Sequence, residues 1–180
     1  MPESDVSSGE NTHWSGDVHA VLKDLGVRQV VYVPDAGHKR LIEMCAADPD
    51  MVATQLTTEE EGIAMLSGAF LGGDRGVLLM QSSGVGNCMN MLSLTYACRF
   101  PLLMLVTMRG QWGEFVSWQM PTAKNTPKML QLYDVLVQEA DRIEEVAEIV
   151  EAAGRTAFDG PNAVAVLISQ RVIGSKKFTR

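Results

Sequence analysis

No apolar run in this 180-residue chain approaches the roughly 18 to 20 residues that a membrane helix requires, so no membrane span is expected. Positive charge is scarce: 15 Lys and Arg stand against 22 Asp and Glu, for a net charge of -7. General binding to nucleic acid or to an anionic membrane needs a cationic face, and that balance excludes both. Only three cysteines are present, Cys45, Cys88 and Cys98, far apart, in apolar contexts and without CxxC spacing. They exclude a disulfide framework and a cysteine metal centre, and are expected to be reduced core residues. The segment Met1 to Asn11 is polar and acidic and lacks the charged-then-apolar order of a signal peptide, which places the expected location in the cytoplasm. Internal repeats and low-complexity tracts are absent as well.

What is present is an alternation. Short apolar runs at Gln29 to Val33, Met51 to Leu56, Gly76 to Gln81, Leu102 to Thr107, Val135 to Gln138 and Ala163 to Ile168 alternate with helical patterns. Several runs are apolar throughout, as strands covered on both faces by helices are. The predicted fold class is therefore α/β, a three-layer α/β/α arrangement around a mostly parallel six-stranded sheet. With 46% hydrophobic residues the chain reads as one soluble domain, residues 14–170, between a flexible tail at 1–13 and a second at 171–180 that carries Lys176 and Lys177.

One stretch breaks the alternation. Arg109 to Pro127 follows a predicted strand, reads as a long loop and holds Trp112, Phe115 and Trp118. Loops of such length inside a domain are functional or disordered, and the aromatics argue against disorder. They either pack the loop onto its own domain or meet a ligand or partner, and the sequence leaves both open. Arg109 offers a planar fork suited to carboxylate, phosphonate or sulfonate oxygens, or an ion pair with Glu114 in the same loop.

Two further segments fall at predicted strand ends. Thr58 and Glu61 have the spacing of a capping box. Glu59 is in phase with Ile63, Leu66 and Phe70, so it begins the apolar stripe of a helix rather than its solvent face. By themselves, Glu59, Glu60 and Glu61 are equally suited to complement the positive end of that helix. Ser82-Ser83-Gly84-Val85-Gly86-Asn87 follows the third strand and opens a predicted helix from Cys88 to Ala97. It fails as a dinucleotide fingerprint, because the last glycine of the pattern falls on Met89. An ordinary strand-to-helix turn and a ligand-lining turn both fit it.

These segments resemble, from about Trp14 to about Ser169, the pyrimidine-binding (PYR) domain of thiamine diphosphate enzymes, within the phosphonopyruvate and sulfopyruvate decarboxylase family. The matching motifs are Glu59 ahead of the small-residue pattern ending at Ser67-Gly68, and the Gly-x-Gly-Asn turn at Gly84 to Asn87. The resemblance implies that Glu59 is the catalytic glutamate that hydrogen-bonds the aminopyrimidine ring, with Ser83, Gly84 and Asn87 lining the cofactor. His38, in Pro34-Asp35-Ala36-Gly37-His38, and Arg109 are the implied substrate contacts. Relatives commonly carry Ser after Pro-Asp where this chain has Ala36, which turns attention to His38, a residue type that near a helix start also serves as a surface or capping group.

The Gly-Asp-Gly motif that holds the diphosphate and its divalent metal in such enzymes is missing: Gly73-Asp74-Arg75 and Asp159-Gly160-Pro161 do not match it. The resemblance thus implies a split enzyme. Its cofactors are thiamine diphosphate and Mg²⁺, the metal ligands come from a beta subunit carrying the diphosphate-binding domain, and the chains assemble into a hetero-oligomer. No metal ligand is expected in this chain. The implied reaction is decarboxylation of a small anionic 2-oxoacid, 3-sulfopyruvate to sulfoacetaldehyde and CO₂, in coenzyme M synthesis or sulfonate metabolism. Phosphonopyruvate is the alternative substrate, and a non-catalytic α/β binding or regulatory subunit is the alternative role.

Overall fold

In the computed structural model, which describes residues 13–174, alternate residues of the central strands feed two separate cores. The strands are β1 (Val27–Tyr32), β2 (Val52–Gln55), β3 (Arg75–Gln81), β4 (Leu102–Thr107), β5 (Leu136–Ala140) and β6 (Ala163–Ile168). They form one six-stranded sheet of order β2-β1-β3-β4-β6-β5, parallel at every pairing. Val77 and Leu79 of β3 point into one core while Leu78 and Met80 point into the other. All six residues of β4 are buried, which is why its sequence shows no polar alternation.

The helices are α1 (His13–Asp24), α2 (Lys39–Ala47), α3 (Glu59–Leu71), α4 (Val85–Cys88), α5 (Leu92–Cys98), α6 (Met120–Gln131), α7 (Val146–Asp159) and α8 (Gln170–Ile173). On the first face α1, α2 and α7 bring Val18, Leu22, Leu41, Cys45, Val146, Val150 and Ala153 to the sheet. The second face takes Ile63 and Leu66 of α3 with Val85, Cys88, Leu92 and Leu130 from α4, α5 and α6. Three layers around a parallel sheet match the expected class. Among the described residues no helix is long and apolar enough to cross a membrane.

Several sequence expectations change. The segment Arg109 to Pro127 is not one long loop: after a turn at Ser117–Gln119, helix α6 starts at Met120 and continues through Pro127. Pro121 sits in the first turn, where its missing N–H has no helical partner to lose. Pro127 lies inside the helix, where proline ordinarily marks an end. The helix read at Cys88 to Ala97 is two short helices, α4 and α5. Cys45 and Cys88 are buried as expected, but Cys98 is exposed. Most of the two predicted tails lies outside the described residues, yet His13 already opens α1 and Arg171 to Ile173 belong to α8, whose Val172 is buried.

Candidate active site

From β1 the chain steps outward to β2, then returns to the other side of β1 as β3, so the direction of winding reverses between β1 and β3. Helices leaving the two sides of such a point open a crevice at the carboxyl ends of the strands, the usual ligand site of open α/β sheets. Glu59 follows β2, Ser83 and Gly84 follow β3, and Arg109 follows β4.

Glu59 is the first residue of α3 and only 8% exposed. Ile63 and Leu66, one and two turns on, are buried with it, whereas Phe70 at the far end is exposed and packs against Phe100. The Glu59 Oε2 accepts a hydrogen bond of 2.8 Å from Asn87 Nδ2. No hydrogen bond reaches its Oε1 among the described residues. The expected capping box is altered: Thr58 Oγ1 donates to the Glu60 carboxylate instead of capping the helix, and Glu61 Oε2 accepts from the Thr57 backbone N–H at 2.9 Å. A neighbouring carboxylate captures the threonine hydroxyl, and Glu61 reaches one residue further back than the motif implies.

The glycine segment is helical from its start: Ser82–Gly84 is a 3-10 turn that runs into α4, so Asn87 projects from a helix. That places its amide on the Glu59 carboxylate across 28 residues of sequence. Gly84 is required by contact rather than by backbone conformation. A Cβ there would lie 2.2 Å from Glu59 Oε1 and 2.3 Å from Glu59 Cδ, so the carboxylate rests directly on the Gly84 backbone. Ser83 donates its hydroxyl to Gln81 Oε1 at 2.9 Å. Cys88 is no nucleophile, since burial, together with the negative charge of Glu59 and Glu60, pushes its thiol up to about 12.

The two residues expected to meet substrate are otherwise engaged. His38 is fully buried, with Nδ1 3.5 Å from Asp35 Oδ2. That separation is an electrostatic contact rather than a formed hydrogen bond, and neither ring nitrogen has a hydrogen-bond partner. Arg109 follows the ion-pair alternative: its Nε and Nη2 donate to Glu114 Oε2 and Oε1 at 2.7 and 3.0 Å. Glu114 also accepts from the backbone N–H groups of Phe115 and Val116 and from Gln170 Nε2. Gln111 and Gln170 lock each other, each side-chain oxygen accepting from the other's backbone N–H at 3.0 Å. Trp112 joins this knot through its backbone N–H, which donates to Gln170 Oε1 at 2.9 Å, and its ring lies 4.3 Å from the Arg171 guanidinium.

Burial alone would raise the Glu114 carboxyl, but Arg109 and the backbone N–H groups outweigh it and hold the group at about 2, against 4.5 ordinarily. A depressed carboxyl stabilises the folded loop fully above its unfolded value and loses that contribution as pH falls through the folded one. The loop is therefore expected to stay docked from pH 7 to below 4.5 and to release as pH nears 2. Tryptophan emission should be flat over the upper range in the wild type and already altered at pH 7 in Glu114→Gln. A wild-type transition centred near the ordinary carboxylate value would contradict the assignment.

Asp35 was not singled out from the sequence, yet its carboxylate collects three donors at this edge. It accepts from Gln81 Nε2, Thr107 Oγ1 and the Gly37 backbone N–H. Burial works to raise its carboxyl, but His38 beside it, with the bonds from Thr107 and Gln81, holds it well below the usual carboxylate range. It is an anion at neutral pH. Among the described residues no group of three or more His, Cys, Asp or Glu side chains could hold a metal ion.

Over residues 15–127 the sequence matches the family described as thiamine pyrophosphate enzyme, N-terminal TPP binding domain. The sulfopyruvate decarboxylase subunit alpha of Methanothermobacter thermautotrophicus is 34% identical over 156 residues, covering 84% of this chain and 92% of that protein. A phosphonopyruvate decarboxylase of Streptomyces viridochromogenes is 39% identical over 101 residues, which are 56% of this chain and 25% of that one. Among solved structures, a Mycobacterium smegmatis protein assigned as a thiamin diphosphate-dependent enzyme superposes with a TM-score of 0.70 at 20% identity. The superposition covers 91% of this chain and 31% of that chain, and it supports the fold.

Proposed function

The chain belongs to the thiamine pyrophosphate enzymes that share this N-terminal TPP-binding domain, and from that membership we propose that it is the pyrimidine-binding alpha subunit of a heteromeric decarboxylase converting 3-sulfopyruvate to sulfoacetaldehyde and CO₂. The relative of matching length bears the name sulfopyruvate decarboxylase subunit alpha, which supports both the substrate and the need for a second subunit. Phosphonopyruvate is the second reading, favoured by the shorter match to a decarboxylase of that acid.

One geometric observation carries the chemistry: a buried carboxylate, oriented through one oxygen by Asn87, keeps its other oxygen without a hydrogen bond. A group that shares a proton with a ring nitrogen fits that oxygen, and the aminopyrimidine of thiamine diphosphate is such a group. Bound thiamine diphosphate supplies the electron sink for the pair released as CO₂ leaves a 2-oxoacid. Glu59 holds the proton at Oε1, Asn87 fixes the carboxylate plane, and Gly84 leaves room for both. Ser83 shapes the turn. Among the described residues no cluster of carboxylates, histidines or cysteines suits the diphosphate metal, and we place Mg²⁺ and its ligands on the partner subunit.

Arg109 and His38 then act by holding the edge in shape, because the fork is filled by Glu114 and the imidazole is enclosed. Contact with the partner falls to the loop that Arg109 anchors, whose Trp112, Phe115 and Trp118 are 54%, 48% and 67% exposed although the backbone N–H groups of Trp112 and Phe115 are bonded within the domain. Isothermal calorimetry on the purified chain with Mg²⁺ is expected to show weak thiamine diphosphate binding or none, and tight binding only after the partner is added. Tight one-to-one binding by the chain alone would contradict the divided site.

A further inference from the structure

Beyond the cofactor contacts, we propose that Asp35 is a positioning residue that sets the Ser83–Gly84 turn through Gln81 and thereby seats the Glu59 carboxylate. This inference rests on the reading of Glu59 given above. Its geometry is a continuous path. Asp35 Oδ1 accepts from Gln81 Nε2 at 3.1 Å, and Gln81 Oε1 accepts in turn from Ser83 Oγ at 2.9 Å. Ser83 directly precedes Gly84, whose backbone the Glu59 side chain touches. On its other oxygen Asp35 takes Thr107 Oγ1 at the end of β4 and the Gly37 N–H. The carboxylate therefore ties the ends of β1, β3 and β4 to one point.

An aspartate suits that point because a carboxylate is acceptor-only, with about four lone-pair directions for the donors that converge on it. Asparagine has one acceptor oxygen, and its NH₂ has to face one of those donors. Gln81 has a fixed amide orientation only while Asp35 demands its NH₂, which leaves its oxygen for Ser83. Without that demand Gln81 flips freely, and the hydroxyl that holds the turn loses its direction. Space around the point is tight as well, since a Cβ on Gly37 would come within 2.8 Å of Thr107 Cγ2 and 2.9 Å of Asp35 Oδ2. None of the residues that relay the effect, Gln81 included, has to touch substrate.

The test compares Asp35→Asn, Asp35→Ala, Gln81→Ala and the double variant Asp35→Ala/Gln81→Ala in the full chain. Reconstituted with the partner, the Asp35 and Gln81 single variants should lose between about 10-fold and about 100-fold in kcat, as small misplacements of reacting groups do. KM for sulfopyruvate should stay near wild type, and the double variant should be no worse than Asp35→Ala alone. In the unreconstituted chain, amide hydrogen exchange should accelerate in Asp35→Asn and Gln81→Ala at residues 83–88 and stay unchanged in β6 and in the first half of β4. Multiplying losses in the double variant, or faster exchange spread evenly over the domain, would overturn the proposal. So would Asp35→Ala turning over at the wild-type rate. If the wild-type complex does not act on sulfopyruvate, the functional reading fails, and the exchange pattern alone still decides the role of Asp35.

Discussion

Glu59→Gln is expected to leave the fold intact and to remove most of the activity of the reconstituted complex, by about 100-fold to about 10,000-fold, the range typical of losing a positioned proton-transfer group. Glutamine keeps the length of the side chain, and its amide oxygen can still accept from Asn87 Nδ2, so the packing over Gly84 survives. What it loses is the oxygen able to carry a proton. Deuterium exchange at the thiazolium carbon of the bound cofactor should slow by the same factor. The neighbouring substitution supplies the contrast. Glu61 accepts only from the Thr57 N–H, and Glu61→Gln should lower stability by on the order of 1 kcal/mol, as loss of a cap does, with little effect on exchange. Equal exchange rates in wild type and Glu59→Gln would remove Glu59 from the chemistry.

Gly84→Ala should be nearly as damaging, for a steric reason. Its φ of -75° is open to any residue, so alanine introduces no backbone strain. The methyl group would instead overlap Oε1, Cδ and Cγ of Glu59, all within 2.5 Å. A side chain can swing away more readily than the helical turn carrying Gly84 can shift, so the variant should fold while the carboxylate leaves Asn87. Expected results are a melting temperature close to wild type and a kcat reduced by about 100-fold, the scale of an ångström-sized misplacement. Gly86→Ala is the control, because nothing lies within 4 Å of a Cβ there. Similar losses in both variants would mean that the turn is sensitive in general and that Glu59 does not depend on Gly84.

The layered fold was legible because its signals are local. Leu102 to Val106 and Ala163 to Ile168 are unbroken apolar runs, and the strands Leu102–Thr107 and Ala163–Ile168 have the predicted bounds. The place of Glu59 on the buried face of its helix was legible too, since helical phase set it apart from Glu60 and Glu61 and its burial agrees, whereas its catalytic role came only from the family resemblance. Helix ends were less so. Pro127 reads as the end of a long loop but sits inside α6, and Gly84 reads as part of a turn but belongs to a 3-10 turn that runs into a helix, because tertiary contact outweighs single-residue propensity. The network around Asp35 left no local trace: its partners Gln81 and Thr107 are 46 and 72 residues away. Arg109 shows the same limit in reverse, since an arginine at a strand end looks alike whether it faces a substrate or Glu114 in its own loop.

The most direct measurement of the central claim is sulfoacetaldehyde formation from 3-sulfopyruvate, with thiamine diphosphate and Mg²⁺ present, by this chain alone, by the diphosphate-binding partner alone and by an equimolar mixture. Turnover confined to the mixture, and lost when the mixture contains Glu59→Gln, is the predicted result. Turnover by this chain without a partner, or a mixture that binds cofactor tightly and leaves sulfopyruvate untouched, would contradict it.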